Sequence, residues 1–257
     1  MVAEDVGEPA EDATEAAFAA WRERREHEGV RVDVTDLYAM VAASRGVDVL
    51  DLPLEERRAL AARAMPVVWP GYEKLGTNGP AGPVVLVEDD GRWGERFEAW
   101  RDRLATALGP TARRIEHVGS TSIGGIHAKP LLDLLVTVPD LPDEASYVPA
   151  CEHVGLELFS RDNEHRFLVD AEPAPLTVHL HVCETGSPFE RDHLLFRDYL
   201  RANSDERDRY AEMKTAAAAR WNEDRMGYTY AKSDLILDLL DRAEGWAAAT
   251  GWTVAGA

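Results

Sequence analysis

One carboxylate stands in an otherwise apolar run, Leu131-Leu132-Asp133-Leu134-Leu135-Val136-Thr137-Val138. Side chains alternate along a strand, so Asp133, Leu135 and Thr137 share a face. A carboxylate buried there must be hydrogen-bonded, ion-paired or metal-bound, because leaving it unpaired is costly. The competing reading is a salt-bridged or helix-capping aspartate at a sheet edge. A second run, Thr177-Val178-His179-Leu180-His181-Val182-Cys183, carries two imidazoles two residues apart. Val178, Leu180 and Val182 would face the core, and Thr177, His179, His181 and Cys183 the other side. Beside Asp133, the two histidines would complete a two-His, one-carboxylate set suited to a transition ion. One of them could instead act as a base. An isolated H-x-H is also common as one structural and one partly exposed histidine.

Ahead of the aspartate, Gly119-Ser120-Thr121-Ser122 has the small residues and hydroxyls of an anion-binding turn, and Lys129 follows it. The same four residues are also ordinary turn chemistry. The stretch is not a Walker-type loop, and no G-x-S-x-G nucleophile elbow occurs. Farther on, Tyr210, Lys214, Ala217 and Trp221 fall on one helical stripe, and Lys232 shares a stripe with Leu235, Ile236 and Leu239. A lysine on an apolar stripe either snorkels outward or points into a polar cleft. Arg197 and Arg201 flank Asp198 and read either as phosphate ligands or as an exposed salt-bridged face.

These residues need elements to position them. Periodicity predicts a helix over 90–108, with Trp93, Phe97, Trp100, Leu104 and Leu108 on one face and Gly109-Pro110 as its stop. Strands are predicted at 84–87, 113–118, 131–138, 156–159, 166–170 and 176–183, and a helix at 143–153. Residues 131–138 read as a central strand covered on both faces. Helices at 188–203, 205–224 and 229–246 close the chain. Before all this lie an acidic lead-in (1–12), helices over 13–28 and 35–44, and a third helix from the Asp51 cap through Met65. A proline- and glycine-rich linker spans 66–83. The early helices carry no chemistry of their own; they could bind a partner, select an acceptor or cover the sheet.

Net charge is −19, which disfavours direct contact with a nucleic-acid backbone or an anionic membrane surface. No apolar run is long enough to cross a membrane, and the acidic start does not resemble a signal peptide, so the cytoplasm is the expected compartment. Cys151 and Cys183 lack metal-type spacing and read as buried thiols.

Taken together, Ile115–Val118, Gly119-Ser120-Thr121-Ser122, Ala128-Lys129-Pro130, Asp133, His179-Leu180-His181, Phe196-Arg197-Asp198-Tyr199-Leu200-Arg201, Tyr210, Lys214 and Tyr230-Ala231-Lys232-Ser233 resemble the GrpB family in order and spacing, over about residues 83–245. The resemblance implies an α+β fold of the nucleotidyltransferase type seen in the DNA polymerase β-like superfamily. That is a small mixed β-sheet with C-terminal helices, here preceded by a small N-terminal helical region. The expected divisions are 1–12, 13–75, 83–247 and a tail at 248–257.

The resemblance also implies ATP or another nucleoside triphosphate as substrate, and a small-molecule acceptor. Asp133, His179 and His181 would be catalytic and hold a divalent metal, whether Mg, Mn or Zn. Gly119, Ser120, Ser122, Lys129, Arg197, Arg201, Tyr210, Lys214 and Lys232 would bind the phosphates. Asp133 matches the first acid of the superfamily's D-x-D, but position 135 is leucine, and histidines stand where a third acid is expected. Three functions stay open: nucleotidyl transfer, nucleotide or phosphometabolite binding without turnover, and metal-dependent chemistry of another class at an Asp-His-His site. Homo-oligomerisation is compatible with each.

Overall fold

The computed structural model describes residues 51–77, 82–171 and 177–254, together with Ala19, Ala20 and Glu23. The expected acidic lead-in and the helices at 13–28 and 35–44 lie outside the described residues, apart from those three, which are helical. The chain divides into two compact units, Met1–Tyr72 and Glu73–Ala257. In the first, helix α1 (Leu54–Val68) follows Pro53 and buries Leu60, Ala61, Ala64 and Val68. It continues past Met65 through Pro66, so the predicted linker begins later than residue 66.

The second unit is built on a six-stranded mixed sheet. Its strands are β1 (Glu73–Lys74), β2 (Arg114–Val118), β3 (Leu132–Val138), β4 (Leu156–Arg161), β5 (His165–Asp170) and β6 (Val178–Glu184), in the order β1-β4-β5-β6-β3-β2. Only β3 and β6 pair in parallel. Parallel neighbours need a long crossover, and here residues 139–177 supply it, carrying β4 and β5 with them. Residues 84–87 do not form a strand; Val87 makes only an isolated bridge to Ala128. The two-residue β1 lies inside the predicted linker, where no alternation announced it.

Alternation divides β3 and β6 into two faces. Leu132, Leu134, Val136, Val138, Val178, Leu180 and Val182 join the main core with Trp93, Leu104 and Leu108 of α2 (Trp93–Leu108). Cys151 of α3 (Val148–His153) packs there too, reached through a 3-10 turn at Glu144–Ser146 where one continuous helix was expected. The opposite face carries the candidate site. It is covered by α4 (Pro188–Ala202), which leads to α5 (Ser204–Trp221) and α6 (Arg225–Thr250).

These three helices share a second core with Ile123 and Ile126 of the small-residue loop. Two of them have side-chain caps. The Ser187 hydroxyl accepts from Glu190 N at 3.3 Å, and Asp224 accepts from Met226 N and Gly227 N at 3.1 and 3.0 Å. Helix α6 is longer than 229–246 at both ends, and Trp252 and Val254 pack beyond it.

Candidate functional site

Register brings the predicted residues together. In the β3–β6 pair, Asp133 sits opposite His179, Leu135 opposite His181 and Thr137 opposite Cys183. The His179 Nδ1–H donates to Asp133 Oδ1 at 3.2 Å. Burial opposes charge on Asp133, but the hydrogen bond from His179 and the nearby His181 ring outweigh it and hold the carboxyl well below its ordinary range. Burial also pushes the His179 pKa down, which fits a neutral ring donating to an ionised carboxylate. The other ring nitrogen, Nε2, is buried with no hydrogen-bond partner among the described residues.

Gly119 makes this possible. Its φ is +66°, a region L side chains avoid, and a Cβ there would lie 2.2 Å from Asp133 Oδ2. The backbone of the loop therefore presses directly on the carboxylate. The Ser122 hydroxyl closes the turn by donating to Gly119 O at 2.6 Å, whereas Ser120 Oγ lies 3.3 Å from the Tyr210 hydroxyl. His117, on the far face of β2, holds Thr121 at 2.9 Å and stacks on Phe97. Burial, and then Arg201, brings its pKa down to about 4.

Three lysines from separate segments lie within electrostatic reach of the aspartate. Lys214 of α5 is 2% exposed and donates to His127 O at 2.9 Å, with its ammonium 5.3 Å from the Tyr210 ring. Lys232 of α6 lies 4.2 Å over the Tyr228 ring. Burial, then the charge of Lys232, pushes Lys214 to about 7; burial, then Lys129, pushes Lys232 to about 7. Lys129 is pushed down by burial and pulled back by Asp133. The Asp133 charge acts on all three.

The two arginines have other work. Arg197 donates to Glu116 Oε2, Asp198 Oδ1 and His117 O at 2.7, 2.7 and 3.1 Å. Arg201 gives Nε and Nη2 to Ser122 O at 2.9 and 2.6 Å. Both fasten α4 to β2 and the loop, as the salt-bridged reading expects. Of the predicted phosphate ligands, Gly119 packs on Asp133, Ser120 reaches Tyr210, and Lys129, Lys214 and Lys232 feel the Asp133 charge, while Arg197, Arg201 and the Ser122 hydroxyl bond to protein carbonyls or carboxylates.

Sequence reasoning missed an imidazole and phenyl cluster on the same face. His165 Nε2 lies 3.0 Å from His181 Nδ1, and His165, His181 and His193 pack with Phe189 at ring separations of 4.6, 6.0 and 4.2 Å. Phe167 stands edge-on to His179 at 4.9 Å. Alternation in β5 puts His165 and Phe167 on one face, a signal present in the sequence; their pairing with β6 was not.

The expected metal set can be tested against these positions. His181 Nε2 is 4.0 Å from Asp133 Oδ1, while its Nδ1 is taken by His165. His179 presents Nδ1 to the carboxylate, so its free Nε2 points to the opposite edge of the ring. Among the described residues, no group of three or more His, Cys, Asp or Glu is arranged to hold a metal ion. No helix among them is long and apolar enough to cross a membrane.

A mixed sheet with one acid-bearing face under C-terminal helices is consistent with the nucleotidyltransferase-like superfamily. Residues 83–242 match the GrpB protein family, and the chain belongs to that family. A UPF0157 protein of Streptomyces coelicolor is 40% identical over 161 residues, covering 62% of this chain and 84% of that protein. A dephospho-CoA kinase of Mycolicibacterium paratuberculosis is 32% identical over 198 residues, covering 66% of this chain and 48% of the kinase. The crystal structure of the conserved protein GrpB from Enterococcus faecalis superposes with a TM-score of 0.58 at 28% identity, covering 63% of this chain and 99% of that one.

Proposed function

We propose that this chain binds a nucleoside triphosphate through its phosphates and transfers the nucleotidyl group to a small acceptor. The observation that supports this most is the chain of contacts from Lys214 over Tyr210 to Ser120, next to Gly119 pressed on Asp133, with Lys129 and Lys232 also within electrostatic reach of that carboxylate. Oriented cations stabilise the charge that develops on transferred and departing phosphates. In the reaction, an acceptor hydroxyl attacks the α-phosphorus and the bond to the bridging oxygen of the β-phosphate breaks. Pyrophosphate leaves against the lysines, and the hydroxyl proton passes to the His181 imidazole beside the Asp133 carboxylate. His179 holds that carboxylate in place through its Nδ1–H.

A second reading, binding of a nucleotide or phosphometabolite without turnover, is favoured by Leu135. It stands where a second acid would be and is fully buried against Val118, Cys183 and Leu194. The match to the dephospho-CoA kinase covers 48% of that protein, and its activity is not carried over. A panel of nucleoside triphosphates with EDTA, Mg²⁺, Mn²⁺ or Zn²⁺, read by calorimetry, tests the shared premise. Absence of binding in every combination would refute both readings. Pyrophosphate release in the presence of a small acceptor separates the first from the second.

A further inference from the structure

We propose that Lys129, Lys214 and Lys232 supply the whole counter-charge for the ligand's phosphates, so that this pocket takes a polyphosphate anion without a divalent metal. The inference rests on the phosphate-binding reading above and concerns how that site meets the charge.

Four observations converge on it. First, the place of a second acid is closed. Leu135 is 0% exposed and packs with Val118, Cys183 and Leu194, beside Phe189, Trp252 and Val254. No ligand oxygen can be recruited from that position without opening a core. Second, Asp133 is occupied on two sides, by His179 at 3.2 Å and by the backbone of Gly119, where even a Cβ would come within 2.2 Å of Oδ2. A hard divalent ion wants several oxygens in a regular shell, and one crowded carboxylate offers little of it.

Third, histidine nitrogens already have partners inside the protein: His181 Nδ1 lies 3.0 Å from His165 Nε2, and His179 gives its Nδ1–H to the carboxylate. Fourth, the cations are already present and fixed. Lys214 is tied to His127 O at 2.9 Å, and Lys232 is laid over Tyr228 at 4.2 Å. Three lysines, from a loop and two helices, feel the charge of one carboxylate. Burying like charges together is unfavourable until an anion joins them. Burial, and for Lys214 and Lys232 a neighbouring lysine as well, pushes their pKa values down, and a phosphate would supply the missing counter-charge.

Calorimetric titration of the full chain with inorganic triphosphate and with ATP, in EDTA and in excess Mg²⁺, tests the inference. Affinity in EDTA is expected to match or exceed affinity in Mg²⁺, since the metal competes with the lysines for the ligand. Lys214→Gln and Lys232→Gln are each expected to weaken binding in EDTA by about tenfold or more, the scale of a lost charge-assisted hydrogen bond. Asp133→Asn is expected to strengthen it by removing the opposing charge; a metal-bridged anion would respond in the reverse direction. Thermal unfolding of each variant checks that it folds, and the half-buried Lys232 is the safer site. Binding that appears only with Mg²⁺, or that survives both lysine substitutions, overturns the inference and leaves the phosphate-binding reading standing. No binding by the wild-type chain in either condition overturns both.

Discussion

At the scale of single residues, Gly119 and Asp133 are one unit. A methyl group at 119 would meet the carboxylate at 2.2 Å while forcing a side chain onto a backbone with φ of +66°. Gly119→Ala is expected to cost about 3 kcal/mol, combining left-handed strain with overpacking. Because the nearest atoms belong to Asp133, the aspartate must move, and triphosphate binding is expected to change along with stability. Denaturant unfolding of the variant checks the first effect; a loss below about 1 kcal/mol would mean that the loop yields where the packing says it cannot. The same closeness explains why the aspartate and the loop were legible together in the sequence. A lone acid in an apolar run and a glycine before hydroxyls are local patterns, readable without knowing the fold. The buried commitments of Arg197 and Arg201 were not readable, because Glu116, His117 and Ser122 lie about 80 residues away in sequence.

At the scale of elements, helix α4 does two jobs. Its apolar side seals Leu135 and Cys183 through Leu194, and its basic side holds the loop through Arg201. Arg201→Met keeps the stem and removes the donors to Ser122 O. It is expected to destabilise by about 1 kcal/mol, the net worth of such bonds at a partly exposed site. Triphosphate affinity should fall far less than in the lysine variants, since Arg201 acts on the ligand only through the loop. An affinity loss equal to that of Lys214→Gln would restore Arg201 as a direct phosphate ligand. The helices themselves were predictable from apolar spacing, including the stripe that carries Tyr210 and Lys214. Their ends were less so: α6 begins at the Asp224 cap and runs to Thr250, where Gly251 closes it at φ 71°. Residues 84–87 show the limit of a short apolar run, which made only a single bridge, from Val87 to Ala128.

At the scale of the whole molecule, the buried titratable groups shape stability against pH. Lys214 and Lys232 fall from an ordinary 10.5 to about 7 on folding. Between those values the unfolded chain holds more protons, so their linkage makes stability rise with pH. His117, His165 and His193, lowered to about 4, act in the same direction across the acid range. The thiols oppose this at the alkaline end. Burial pushes Cys183 to about 11 and Cys151 to about 12, so above the ordinary thiol range the folded state keeps protons the unfolded chain releases. Thermal midpoints of the ligand-free chain are therefore expected to climb from pH 5 to a maximum near about 9. In the Lys214→Gln variant the climb between about 7 and 9 should flatten. A wild-type midpoint that falls over that interval would contradict the burial assigned to the lysines.

What the sequence determined by itself was everything set by short-range periodicity. Asp133 shares a face with Leu135, His179 with His181, and Lys214 with Tyr210, because strand and helix geometry repeat every few residues. Only the tertiary structure decided what those faces meet. The parallel register of β3 on β6 set Asp133 against His179, and α4 closed over Leu135. Distant carbonyls and carboxylates took up the arginines while leaving three lysines around one acid. Such pairings depend on contacts between segments far apart in the chain, and no local pattern encodes which donor will find which acceptor. The functional reading turns on that division: the lysines and the aspartate were visible in the sequence, and their meeting was decided by the fold.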